Sequence, residues 1–212
     1  MAFARYLQGS AGVAQDPVHG FPKSVSGIFP RGFLMVLRGY KGAFPRLGQR
    51  VFLAETAAVV GDVVLEDDVS IWYSSVVRGD CCWIRIGERS NVQDNCTLHV
   101  TKEMGPLVLE EEVTVGHNAV VHACTIRRGT LIGMNATVLD NADVGESALV
   151  AAGAVVLSGT VIPPRTLWAG NPAVQKRALT PAEVERLRTY WQNYLGYKAE
   201  YLRDEVASAR TA

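Results

Sequence analysis

From Cys124 to Ile162 the chain reads CTIRRG TLIGMN ATVLDN ADVGES ALVAAG AVVLSG TVI. Written in sixes, each block opens on a small residue: Cys124, Thr130, Ala136, Ala142, Ala148, Ala154, Thr160. A large aliphatic residue follows two places on: Ile126, Ile132, Val138, Val144, Val150, Val156, Ile162. Self-similarity at a fixed period marks a repeat architecture and takes precedence over any helix or strand assignment. Helix periodicity is the rival, but Gly129, Gly133, Gly145, Gly153 and Gly159 argue against it, because glycine at that density breaks helices. Three such blocks make one triangular coil of about 18 residues, with the aliphatic side chains inward and the small residues at the tight corners. The fold expected is an all-β solenoid, a left-handed parallel β-helix (hexapeptide repeat), with a C-terminal α-helix packed along it.

The period extends in both directions. Upstream it takes in Leu53, Val59, Leu65, Ile71, Val77 and Trp83, then, in a shifted register, Ile86, Val92 and Leu98. It resumes at Val108, Thr114 and Val120 and runs on through Ile126 to Trp168. About six to seven coils fit between Val51 and Pro172. Ten residues separate Leu98 from Val108 where six are due. Thr101-Lys102-Glu103-Met104-Gly105-Pro106 is therefore read as a loop thrown out from a corner, directly after His99. Beyond Pro172 the pattern changes. Thr180-Pro181-Ala182-Glu183 is a capping box with proline at the first helical position. Val184, Leu187, Trp191, Tyr194, Leu195, Ala199 and Leu202 then recur at helical spacing. The aromatics of this helix, Tyr190, Trp191, Tyr194, Tyr197 and Tyr201, are expected to serve packing and interfaces. The organisation predicted is a poorly ordered leader over 1–34, a β-helix domain over 35–178, a helix over 179–205 and a tail over 206–212.

The leader is rich in Gly, Pro and Ser and shows neither period 2 nor period 3.6. It has no long apolar core, so it is not a clean secretory signal. A transit peptide and a leader upstream of a start at Met35 both remain open. Across 212 residues, 21 basic side chains balance 21 acidic ones, which removes any electrostatic case for nucleic acid or an acidic membrane surface. No apolar run reaches the roughly 18 residues of a membrane span. Cys81, Cys82, Cys96 and Cys124 form neither a CxxC pair nor a disulfide scaffold, which fits a reducing compartment. A cytoplasmic location is expected, or a mitochondrial one if the chain is eukaryotic.

Three of the four histidines, His99, His117 and His122, fall within 24 residues of otherwise structural sequence. A lone histidine on a β surface is ordinarily just that. Three together, flanked by Arg78-Gly79-Asp80 and Asn91-Val92-Gln93-Asp94, read as one metal centre, since three imidazoles and an open position make a catalytic zinc site. His117 and His122 stand five apart on different stretches of one turn and need not point at one spot. Three prisms packed through their flat apolar faces would bring them together: His99 and His122 from one subunit, His117 from its neighbour.

These motifs, with Gly116-His117 and the ending Trp168-Ala169-Gly170-Asn171-Pro172-Ala173, resemble the γ-class carbonic anhydrases, most closely the short γ-carbonic-anhydrase-like branch. That branch includes bacterial proteins and subunits of plant mitochondrial complex I. The resemblance covers roughly Gln49 to Leu202. It implies a homotrimer with Zn2+, or Fe2+ or Co2+, on His99, His117 and His122. The metal would lower the pKa of its water toward ~7, for attack on CO2 to give bicarbonate. It also implies that Gln93 orients hydroxide or substrate, that Asn91 supports it, that Arg78 and Asp80 pair across the subunit seam, and that Asp94 holds Arg78 or the local backbone. The chain departs from the pattern in two places. Cys81 stands where active members carry an acid, and the loop after His99 is short, leaving Glu103 as a weak proton-shuttle candidate. The alternatives are a hexapeptide acyltransferase or CoA-thioester hydrolase, or a weakly active or non-catalytic assembly subunit.

Overall fold

The computed structural model describes residues 36–102 and 105–209. The expected leader over 1–34 and Glu103 lie outside the described residues. The chain winds as a left-handed parallel β-helix of about 7 turns with one C-terminal helix, as the hexapeptide pattern predicts. One face of the prism stacks the strands Phe52–Leu53, Ser70–Ile71, Asn91–Val92, Thr114–Val115, Leu131–Ile132, Leu149–Val150 and Thr166–Ala169 in parallel. The other two faces are joined through the long strands Ala58–Leu65 and Val76–Ile86, which turn a corner without breaking. A first coil precedes the point where the period becomes legible. Val36–Arg38 pairs with Ala58–Val60, and Arg46–Leu47 pairs with Val64–Leu65.

The stacked strands turn aliphatic side chains inward, and these residues form a single core: Val59, Leu65, Ile71, Val77, Ile86, Val92 and Leu98 are all 1% exposed or less. Two stretches correct the predicted register. The core residue is Ile84 rather than Trp83, and Leu109 and Val121 rather than Val108 and Val120; Val115 fills the apolar core, while Thr114 beside it is also buried but is polar. The pairings give the reason. Val92 lies beside Ile71, 21 residues away, and Val115 beside Val92, 23 away, so insertions at 80–83 and at the loop lengthen two coils. Val115 then lies beside Ile132, 17 away. One five-residue step, from Val121 to Ile126, takes up the difference. Later coils keep 18, as in Ile132 beside Val150.

The corners follow one rule. Asn95, Asn118, Asn135 and Asn141 take φ between 58° and 60°, a left-handed conformation that asparagine tolerates better than most residues. The small residue next in sequence, Cys96, Ala119, Ala136 or Ala142, is buried beneath the turn. At the crossing of the two long strands, Gly61 meets Gly79. A Cβ on Gly79 would stand 2.6 Å from the Asp62 carbonyl oxygen. The glycine of Arg78-Gly79-Asp80 is thus a packing requirement, and it delivers the two charged side chains on either side of it.

The helix spans Pro181–Ala209. Its capping box forms as expected: the Thr180 N–H donates to Glu183 Oε2 at 2.9 Å, and the Glu183 N–H to Thr180 Oγ1 at 3.3 Å. Trp72 on the prism packs within ring-centroid distances of 5.0 Å from Phe52, 5.2 Å from Tyr194 and 5.3 Å from Tyr201. Lys198, 4% exposed, donates to the Arg50 carbonyl and to Asp68, each at 2.7 Å. Among the described residues no helix is long and apolar enough to cross a membrane.

Candidate metal centre

Arg78, His99 and His122 stand in register on three neighbouring strands. Alternation along a strand sends Val77, Leu98 and Val121 into the core and therefore sends these three outward in one row. His99 Nδ1 lies 3.0 Å from His122 Nε2. The remaining ring nitrogens each meet a carboxylate. His99 Nε2 is 3.1 Å from Asp80 Oδ1, and His122 Nδ1 contacts Asp140 Oδ1. Thr101 Oγ1 lies 3.4 Å from the same Nδ1. Asp80 also pairs with Arg78 within the same chain. Burial pushes the Asp80 carboxyl up, but hydrogen bonds from His99 and Arg78 outweigh it and hold the group at about 2. Asp80, Cys81 and His99 bring donor atoms within 4.8 Å of one another. Burial, reinforced by Asp80, pushes the Cys81 thiol up.

His117 occupies the corner before the strand Val120–His122. Its Nδ1 is 2.7 Å from Asp94 Oδ2, and its backbone N–H donates to Gln93 Oε1 at 3.2 Å. Gln93 Nε2 donates to Asn91 Oδ1 at 3.3 Å, and Asn91 Nδ2 to Thr114 Oγ1 at 2.9 Å. Both amides are buried. Asp94 accepts from the Tyr73 N–H at 3.2 Å through one oxygen, and its other oxygen meets His117.

The donor chemistry suits a divalent cation. A carboxylate on one ring nitrogen holds a proton there and leaves the other as a lone pair, the arrangement that prepares histidine for a metal. All three histidines have such a carboxylate: Asp80, Asp94 and Asp140. For His99 and His122 the two freed nitrogens face each other at 3.0 Å. Two lone pairs at that distance repel unless a cation or a proton lies between them.

The expected site residues fall into two groups. Arg78, Asp80, His99 and His122 form one, and Asn91, Gln93, Asp94 and His117 form the other. His117 sits in the turn that precedes the strand Val120–His122, with Asn118 left-handed at φ 59°, so it lies on a different stretch of the coil from His122. Sequence reasoning missed Asp140 and Thr101. Asp140 was findable: it lies 18 residues after His122, one coil length, which places it on the adjacent corner. Of the helix aromatics, Tyr194 and Tyr201 pack on Trp72 as expected, and with Tyr197 they line a cleft of about 320 Å³ together with Trp72, Tyr73, Asp94 and Glu200, which sets the helix beside the His117 group. Burial, largely, raises the Tyr73 and Tyr194 hydroxyls there above the usual tyrosine range.

No protein-family profile matches the chain. It is 42% identical over 173 residues to protein YrdA of Escherichia coli, spanning 79% of this chain and 94% of the relative. It is 43% identical over 156 residues to a carbonic anhydrase of Geobacillus kaustophilus, 74% of this chain and 85% of the relative. It is 41% identical over 156 residues to the mitochondrial gamma carbonic anhydrase 2 of Arabidopsis thaliana, 71% of this chain and 56% of the relative. Among solved structures, a hexapeptide transferase family protein of Anaplasma phagocytophilum is 36% identical with a TM-score of 0.75, covering 78% of this chain and 98% of the other. A Bacillus cereus protein provisionally described as an acetyltransferase is 39% identical with a TM-score of 0.77, covering 79% and 97%.

Proposed function

The chain belongs to the γ-class carbonic anhydrase-like family, and from that premise we propose that it interconverts CO2 and bicarbonate at metal centres shared between the subunits of a homotrimer. The observation that carries this reading is the pair of imidazole nitrogens facing each other at 3.0 Å, each ring held from behind by a carboxylate. His99 and His122 of one subunit and His117 of the next are the ligands. Zinc is the metal favoured, with Fe2+ or Co2+ as alternatives. When bound, such an ion supplies hydroxide near neutral pH.

The chain's own residues do the rest. Gln93 holds the His117 backbone through its carbonyl oxygen and leaves its amide group to orient substrate, and Asn91 keeps that amide in place. Asp80 and Asp94 orient His99 and His117, and Arg78 anchors Asp80. The trimer is supported by the character of the faces. The outward row beside His99 and His122 is Ala58, Val76, Thr97, Val120, Thr137 and Val155, in continuous register and without a charge. The next face carries the ion pairs Arg85–Asp62 and Arg127–Asp143. A row without charge loses little on leaving water, and the Arg78, His99 and His122 row beside it is paired by Asp80 and Asp140. The cytoplasm is the location we assign.

Acyl transfer or thioester hydrolysis is the second reading, favoured by the transferase descriptions of the two structural relatives. It needs one histidine base, not three imidazoles each backed by a carboxylate. Elemental analysis together with a CO2 hydration assay decides between them. His117→Ala is expected to fold, since no core aliphatic depends on it, and to lose both metal and activity. Full metal occupancy in that variant would remove His117 from the ligand set.

A further inference from the structure

We propose that Asp140, steadied by Thr101, is the positioning residue for His122, holding its ring in the tautomer whose Nε2 is free to bind metal. The inference rests on the shared-centre reading above. His122 has two ring nitrogens with opposite surroundings. Nε2 faces His99 Nδ1 at 3.0 Å. Nδ1 faces Asp140 Oδ1, with Thr101 Oγ1 at 3.4 Å. An ionised carboxylate only accepts, so the proton must sit on Nδ1 and the lone pair on Nε2. Thr101 Oγ1 lies 3.4 Å and 3.5 Å from the two carboxylate oxygens, which steadies the acid from the side of the loop that follows His99. Asp140 is placed by the fold itself. Val121 pairs with Val138, so the corner after Val138 stacks on the end of the strand carrying His122. Without the carboxylate the other tautomer becomes available, and it puts a proton on the nitrogen that should ligate.

Two measurements on the full-length protein test this. In the metal-free protein, nitrogen NMR of the imidazoles should show His122 protonated at Nδ1, and Asp140→Ala should move population to the Nε2–H form. Chelator competition with zinc should show Asp140→Ala weakening binding about 10–100-fold, the usual cost of losing a carboxylate behind a metal-bound histidine. Asp140→Asn keeps the shape and an acceptor oxygen, so it should lose less; it also keeps the test informative should the alanine variant fold poorly. Zinc affinity within twofold of wild type in both variants, with an unchanged tautomer, would overturn the proposal. A wild-type protein that binds no stoichiometric zinc would sink the shared-centre reading instead, and the tautomer measurement would then decide the role of Asp140.

Discussion

Hydration of CO2 releases a proton at every turnover, and position 81 bears directly on where that proton goes. Cys81 is exposed, its Sγ lies 3.1 Å from the Val100 carbonyl, and it stands beside Asp80 and His99. A thiol there does not replace the carboxylate that the family resemblance leads one to expect after the Arg-Gly-Asp motif. Turnover is expected to be limited by proton export and to rise with buffer concentration at fixed pH and ionic strength, because general acid–base transfer needs only a group of matched pKa within reach. Cys81→Glu should raise the rate in dilute buffer about tenfold and remove most of the buffer dependence. Stopped-flow hydration at several imidazole concentrations checks it; a fast, buffer-independent wild-type rate would reject the account. At this scale the sequence was readable where chemistry clusters along the chain, as with His99, His117 and His122. It was unreadable where partners meet across coils. Asp140 sits in the block ATVLDN looking like any corner acid, and its role becomes visible once the coil length is added to the position of His122.

The coil and the helix carry different kinds of information. A buried aliphatic every sixth residue is repeated often enough to specify the solenoid. The insertions at 80–83 and 101–106 hide a one-residue slip: the period alone points Val108, Thr114 and Val120 inward, where Leu109, Val115 and Val121 fill the apolar core. Period alone cannot detect that slip, since both members of each pair are apolar or β-branched. The helix is tied to the prism by Lys198, whose ammonium reaches the Arg50 carbonyl and Asp68. Removing the ammonium takes the Lys198 donor from the Arg50 carbonyl and leaves Asp68 to Arg50 alone, so Lys198→Ala should cost about 1–3 kcal/mol in urea unfolding and leave the metal content unchanged. Arg50 first, with Lys198 adding to it, holds the Asp68 carboxyl at about 2, below its ordinary 3.8. A depressed folded-state pKa stabilises above the unfolded value and is lost as pH falls through the folded one. The clamp should therefore be intact above about pH 4 and release toward pH 2, contributing of order 1 kcal/mol after screening around the exposed Arg50. Acid titration followed by the fluorescence of Trp72 and Trp191 measures it, and Asp68→Asn should abolish that part of the transition.

At the scale of the whole molecule, the five-residue gap between His117 and His122 makes a prediction that no single-chain site shares. If each centre takes His99 and His122 from one subunit and His117 from the next, the damage done by His117→Ala and by His99→Ala falls on opposite sides of an interface. Neither homotrimer has an intact centre. In a mixed trimer, the interface where a His117→Ala subunit offers His99 and His122 to the His117 of a His99→Ala subunit is whole. Cyclic closure allows one such interface in a trimer of either mixed composition, about one intact centre in three. Equal amounts of the two variants, unfolded and refolded together, should therefore regain about a quarter of the wild-type metal content and hydration rate, since about three trimers in four are then mixed. Variants refolded apart and mixed afterwards should regain nothing until subunits exchange. A centre built within one chain would give no recovery under either protocol, because every chain then lacks a ligand of its own. Recovery on co-refolding, with none on late mixing, thus separates the shared centre from any arrangement in which His117 serves its own His99 and His122.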